Sequence, residues 1–455
     1  MARSDKTLFE CTACGAQSPK WLGKCPGCNA WSTLVEVLPR EAKTRAAAES
    51  ARSPQQLEAV PTDRVARITS SFAELDRVLG GGLVPGAAVL VGGDPGIGKS
   101  TLLLQACLGM AKQKIRALYV SGEESASQVA LRASRLGGGK GVELLCTTEL
   151  ADVEAALERE RYAVVVVDSI QTLRASELES APGSVAQLRE VSVRLVERAK
   201  ARDTALLLIG HVTKDGALAG PKVLEHLVDV VLSFEGDSTH SYRVLRGQKN
   251  RFGATSEVGV FDMVAEGLRE VADPSALFLH ERAERAAGSA VFPATAGTRP
   301  MLVEVQALLA PAQYGAPRRV ATGLDQNRLA VMLAVLHRKA GVHVLDQDVF
   351  AAIAGGLRVE EPALDLALCA AIVSALRERP LRQATLAFGE VGLTGELRAV
   401  PRPGARVNEA KKLGFKRVVL PHGSAEALQP AERKGIEVVP CKRLDDALAA
   451  LLDAR

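Results

Sequence analysis

Four short aliphatic runs, Ala87–Val91, Ala117–Val120, Ala163–Val167 and Ala205–Ile209, contain no charged residue. Runs this short, without polar alternation, predict strands buried on both faces, as in a parallel sheet covered by helices. A helical pattern from Thr101 follows the first run, and Gly80–Gly86 predicts the turn that leads into it. Further on, Thr298–Leu309 predicts a strand and Leu364–Leu376 an apolar helix. Between Pro39 and Pro61 the apolar period dissolves into Ala, Ser, Glu, Arg and Gln, which predicts a linker. The organised chain resumes near Arg67.

At 455 residues the chain is too long for one ordinary core and implies two or three domains. The pattern divides it into an N-terminal segment at 1–38, a linker at 39–66, a central domain at 67–272 and a C-terminal domain at 273–455. Hydrophobic content of 47% with 24% charged residues is that of a globular protein, and no run is long enough to span a membrane. Met1–Lys6 has no apolar core behind it, so no secretory signal is expected and the reading is cytoplasmic. A net charge of +4 is small for this size, so any nucleic-acid contact must come from a local patch.

Four of the eight cysteines fall within the first 28 residues. Cys11 and Cys14 form one C-x-x-C hook, Cys25 and Cys28 another. Two such hooks complete the thiolate tetrahedron that Zn²⁺ accepts, and metal binding would supply the folding free energy that so short a segment lacks. Rubredoxin-like iron, or redox-active thiols without metal, are the alternatives. Trp21 and Trp31 flank the second hook and are expected to pack against the metal.

The first strand runs into Gly93-Asp94-Pro95-Gly96-Ile97-Gly98-Lys99-Ser100-Thr101, a complete phosphate-binding loop between strand and helix. Its backbone N–H groups would cradle the phosphates of ATP or GTP, Lys99 would reach the β- and γ-phosphates, and Ser100 would offer its hydroxyl to Mg²⁺. Glu123, after the second strand, is the candidate base for activating water, with Glu124 as its alternative. Asp168 ends the third strand, where it would hold Mg²⁺ through water. His211, after the fourth, is either a γ-phosphate sensor or structural. The segment 213–222, with Lys214 and Lys222, would be a mobile basic stretch able to reach a nucleic-acid backbone.

These features, in this order, resemble the RecA-like ATPases. With Ile68–Asp76, the four-cysteine knuckle and Lys249-Asn250-Arg251-Phe252-Gly253 added, nearly the whole chain resembles a bacterial DNA-repair family of such ATPases. The resemblance implies an α/β RecA-like core with ATP, Mg²⁺ and Zn²⁺ as cofactors. It further implies a homo-oligomeric, hexameric ring, single-stranded and branched DNA as partners together with RecA, and branch migration during recombination and repair. It also implies that Lys249 and Arg251 contact the neighbouring subunit's ATP or the DNA; read alone they are two cations in a turn. A nucleotide-switched assembly protein that moves nothing is the alternative.

The C-terminal stretch, through Gly355-Gly356, Leu364–Leu376 and Gly389–Arg398, is similar to the α+β proteolytic domain of Lon. It departs from Lon at the chemistry. Pro362-Ala363-Leu364-Asp365 stands where the serine nucleophile should precede the helix, and Leu397–Val407 carries Arg398, Arg402 and Arg406 but no lysine base. The expectation is a domain without proteolysis, used for assembly and as a basic DNA-facing surface; an ordinary solvated face is the alternative for those arginines.

Overall fold

The structure, a computed structural model, describes residues 8–12, 16–37, 66–210, 223–236, 242–280, 282–283, 285–297, 299–312 and 316–452. The expected linker at 39–61 lies outside them. The chain forms two compact units, one of residues 1–235, 243–255 and 263–270, the other of 236–242, 256–262 and 271–455.

In the first unit the four aliphatic runs become Ala88–Gly93, Ala117–Ser121, Val164–Asp168 and Ala205–Ile209. Every residue of these strands is buried, as unbroken apolar runs require. The sheet continues Tyr242–Asn250, Val230–Glu235, Ala88–Gly93, Ala205–Ile209, Val164–Asp168, Ala117–Ser121, Val142–Cys146. All neighbours in that series are parallel except the first pair, which is antiparallel. Helices Leu150–Arg159 and Val185–Ala201 cover one face, packing Val153, Leu157, Leu188, Val191 and Leu195 against Leu90, Val120, Val167 and Leu208. Truncating one such leucine to alanine costs about 2–5 kcal/mol.

The same unit holds a small antiparallel sheet ordered Gln17–Ser18, Leu8–Cys11, Leu34–Val37. Glu10 on its middle strand lies 3.4 Å from Arg189 of helix Val185–Ala201. Its core is Cys11, Cys25 and Leu34, with Phe9 and Ala16 against them. The tryptophans do not pack there: Trp21 is 58% and Trp31 74% exposed. Two thiols and Leu34 already fill an interior this small, leaving no room for an indole.

The second unit has a four-stranded sheet, ordered Ser289–Ala296, Arg299–Pro311, Gln347–Ile353, Arg319–Thr322, and a parallel three-stranded sheet of Thr385–Ala387, Arg417–Pro421 and Glu437–Cys441. Helix Asp365–Leu376 is buried without break from Asp365 to Ser374, which explains its lack of amphipathic period. No helix among the described residues is long and apolar enough to cross a membrane.

Candidate nucleotide site and metal centre

Strand Ala88–Gly93 delivers the loop and helix Lys99–Lys112 takes over from it. Gly98 is the residue before the helix, at φ +112°, a conformation that side chains disfavour, and a Cβ there would lie 2.7 Å from Met263 Cε. Gly93 is excluded from change by space: a Cβ would meet the Phe234 carbonyl oxygen at 2.4 Å. No side chain caps the helix, so its first N–H groups face the loop's hollow, as an anion site requires. Arg243, nearly buried, braces the loop by donating to the Ile97 carbonyl at 3.2 Å.

Lys99 is 4% exposed and donates to the carbonyls of Gly93 at 2.7 Å and Asp94 at 2.9 Å. Burial lowers its pKa from the usual lysine value, while the carboxylates of Asp168, Asp94 and Glu123 pull it back up. Those four groups therefore share one electrostatic neighbourhood. Ser100 is half-buried in the helix's first turn, and Asp94, Pro95 and Gly96 are exposed at the loop's tip.

Ser121 and Asp168 pair across adjacent strand ends, which aligns the acidic residues that follow. Asp168 is 6% exposed and accepts a 2.5 Å bond from the Tyr119 hydroxyl. Ser169 donates to Glu123 at 2.5 Å, and the Gly122 amide donates to the Asp168 carbonyl at 2.8 Å. The two glutamates differ in their partners. Glu124 is bound to Arg132, which also lies 4.0 Å from Asp168, whereas Glu123 is exposed beside Asp168. Tyr119, Ser169 and Arg132 were not candidates from sequence, because each is recognised only through a partner remote in the chain. His211, Lys214 and Lys222 lie outside the described residues.

Lys249-Asn250-Arg251-Phe252-Gly253 sits at the opposite end of the strands from the phosphate loop, following strand Tyr242–Asn250, which is internal to the sheet. Asn250 pairs with Val230 at the start of its strand, beside Val89 at the start of the loop strand. Lys249 donates to the carbonyls of Glu225 at 2.6 Å and Val228 at 2.8 Å; burial and the nearby Arg251 lower its pKa. Arg251, half exposed, bonds Asp229 at 3.0 Å, and the other oxygen of that buried carboxylate accepts the Ala88 amide at 3.0 Å. Asn250 reaches the Val78 carbonyl at 3.2 Å, and Arg67 holds the Phe252 carbonyl at 2.9 Å. Strands rise about 3.3 Å per residue, so the strand from Ala88 to Gly93 keeps this motif roughly 15 Å from the phosphate loop of its own chain.

In the metal centre, the sulfurs of Cys11, Cys25 and Cys28 all lie within 4.8 Å of one another, with Cys11 to Cys28 at 3.6 Å. Tetrahedral zinc with bonds of about 2.3 Å separates its sulfurs by about 3.8 Å, so these three fit. The Gly27 amide donates to the Cys25 sulfur at 3.3 Å. Cys14 lies outside the described residues.

In the second unit, Ala363 is buried and its carbonyl accepts the Gly389 amide at 2.8 Å. Asp365 behind it is 1% exposed, held by Arg328 through two bonds and by the Val391 amide at 3.0 Å. Burial raises the Asp365 pKa, against the pull of Arg328. The reading of Arg406 as part of a solvated or DNA-facing surface is corrected. It is 1% exposed, paired with Glu361, bonded to the Pro293 carbonyl and, at 3.1 Å, to Thr295, with Phe292 and Phe388 rings at 5.8 and 5.6 Å. Arg402 binds the Gly297 carbonyl, and Arg398 is exposed between Glu390 and Glu396.

A parallel sheet with a phosphate loop at its strand ends, a buried lysine in that loop and acidic residues on the neighbouring strands defines an ATPase of the RecA-like class, here joined to a cysteine ribbon. Family profiles agree: an AAA domain over residues 51–217, a zinc ribbon described as a rubredoxin metal-binding domain over 9–36, and subunit ChlI of Mg-chelatase over 326–424. DNA repair protein RadA of Pseudomonas aeruginosa is 51% identical over 98% of this chain and 99% of its own. That of Escherichia coli K12 is 47% identical over the full length of both. The RadB recombinase, a solved structure, is 21% identical over 45% of this chain and 99% of its own, with a TM-score of 0.37. The chain belongs to the bacterial RadA family of DNA repair proteins and is an ATP-hydrolysing enzyme of that family.

Proposed function

We propose that the chain is a DNA-stimulated ATPase that drives branch migration of recombination intermediates, working in the cytoplasm as a ring, with RecA as partner. The observation that carries this reading is the separation of Lys249 and Arg251 from their own phosphate loop by the length of a strand. Cations placed there do not reach their own chain's phosphates; serving a neighbour's nucleotide needs an assembly, and serving a DNA backbone does not.

In this reading the N–H groups from Gly93 to Thr101 and the start of helix Lys99–Lys112 bind the phosphates. Lys99 exchanges its two carbonyl partners for phosphate oxygens, gaining a charged acceptor for a neutral one. Ser100, and Asp168 through water, would hold Mg²⁺, which would neutralise charge on the bound phosphates. Glu123, oriented by Ser169, accepts the proton of the attacking water; Glu124 is occupied by Arg132. The four N-terminal cysteines hold zinc.

The Lon-like unit does no proteolysis in this reading, because Ala363 offers no nucleophile and Leu397–Val407 carries no lysine to serve as base. The test is extension of a three-stranded joint molecule formed by RecA. ATP drives extension by the wild type, and Lys99→Ala binds DNA without extending it. A protein that binds DNA and hydrolyses ATP yet leaves the joint unmoved, alone and with RecA, is a nucleotide switch rather than a motor.

A further inference from the structure

Trp21 and Trp31 are the chain's two tryptophans, and both rings stand in solvent on the cysteine ribbon. Their placement is built. Lys24 and Trp31 form an antiparallel bridge, and the Ser32 amide donates to the Gly23 carbonyl at 2.8 Å, fixing the two arms against each other. A Cβ on Gly23 would lie 3.8 Å from Trp31 Cζ3 and 3.9 Å from Trp21 Cη2. The six-membered rings of both tryptophans thus lie within van der Waals reach of the same glycine. Leu22, next to Trp21 in the chain, is also exposed, at 42%.

The charge around the rings has one sign. From Cys11 to Val35 the chain has two lysines and no acidic residue, and both lysines adjoin a ring. Lys20 precedes Trp21, and Lys24 Nζ lies 5.9 Å from the centre of the Trp31 ring. Two acids border this stretch: Glu10 is turned toward Gln17 at 3.2 Å and Arg189 at 3.4 Å, and Glu36 lies on strand Leu34–Val37 opposite Phe9. The two ammoniums also offset the formal charge of four thiolates on a divalent ion, so the face does not repel an anion.

We propose that Trp21 and Trp31 form a stacking platform for unpaired bases of single-stranded DNA, with Lys20 and Lys24 taking the flanking phosphates. This rests on the reading of the protein as one that acts on DNA. Aromatic stacking accepts any base, and each stacked base is worth roughly a five- to hundredfold gain in affinity. A duplex keeps its base faces inside the helix, so the platform selects single strands. The ribbon would hold an unwound strand while the ATPase unit turns over.

Because these are the chain's two tryptophans, the emission of the zinc-loaded full-length protein reports on the platform directly. Titration with oligo(dT) should quench it, and a fully abasic oligonucleotide of equal length should not. Trp21→Ala with Trp31→Ala should weaken oligo(dT) binding tenfold or more, read by anisotropy of a labelled strand, with the salt slope unchanged. Trp31→Phe, which keeps a ring and is the gentler change, should lose less than half of that effect. Anisotropy that reports binding while tryptophan emission stays constant overturns the platform and leaves the DNA-acting reading intact. Equal quenching by the abasic strand overturns it too, since phosphates alone would then suffice. Quenching or a blue shift that follows protein concentration without DNA assigns the face to a second copy. No binding of any single strand overturns the platform together with the DNA-acting reading.

Discussion

Lys99 and Arg406 are both cations withdrawn from water, 4% and 1% exposed, and they differ in what holds them. Lys99 donates to two neutral carbonyls that the phosphate loop presents to it. Arg406 is bonded to a carboxylate, a hydroxyl and main-chain carbonyls, with the Phe292 and Phe388 rings beside it. The first cation is desolvated without a matching anion in its hydrogen bonds, so an incoming phosphate improves its position. The second is closed, and a ligand could only worsen it. Burial of charge therefore marks a binding site in one unit and a structural rivet in the other, and the partners decide which.

The largest effect should follow Lys99→Ala. Hydrolysis should fall by at least roughly 10²–10³-fold, as when a preorganised charge donor to a reacting group is removed. Thermal stability of the free protein should hold within about 1 kcal/mol, because the loss of burial is offset by relief of desolvation. Phosphate release and a melting curve separate the two. The wild type adds a pH test. Burial lowers the folded Lys99 pKa, so the ammonium is lost as pH rises through a value below that of an ordinary lysine. ATP affinity should then decline on the alkaline side earlier than 10.5, and calorimetry should show proton uptake on binding there.

Arg406→Ala should do the reverse, destabilising the protein by about 3 kcal/mol by leaving Glu361 without its cation. The denaturant midpoint reads this, and Arg406→Met with Glu361→Gln should recover most of the loss. A full-strength midpoint in Arg406→Ala would erase the contrast with Lys99.

Arg251→Ala should come next, reducing DNA-coupled turnover about tenfold with ATP affinity nearly kept, if this charge acts across an interface. Mixing it with Lys99→Ala should restore part of the activity, since each protein supplies the group the other lacks. Absence of rescue, with subunit exchange verified, would place Arg251 on DNA or in a role within its own subunit. The smallest effect on the motor should be Cys11→Ala, which removes one zinc per chain while the ATPase unit stays folded, because the ribbon has its own core of Cys11, Cys25 and Leu34. Metal analysis and basal hydrolysis check it; wild-type zinc content would refute the ligand set.

The sequence made legible whatever is local. The loop, its strand and helix, and the buried strands lie where apolar runs and glycines put them, within a residue or two at their ends. Strand Arg299–Pro311 and helix Asp365–Leu376 were equally readable. What stayed hidden depends on partners distant in the chain. Tyr119 reaches Asp168, Asp229 joins Ala88 to Arg251, and Glu361 neutralises Arg406, with no periodicity linking the members. The tryptophans misled for a different reason. Aromatic rings usually go inside, but a ribbon of three short strands has an interior that its thiols nearly fill.

In the proposed function, the poised charges of the ATPase unit couple nucleotide to DNA. The most direct measurement is the steady-state ATP hydrolysis rate of the full-length protein with and without saturating single-stranded DNA, with Lys99→Ala as control. The account predicts a rate that rises several-fold with DNA in the wild type and stays at background in the variant. A wild-type rate unchanged by DNA that anisotropy shows to be bound would contradict it.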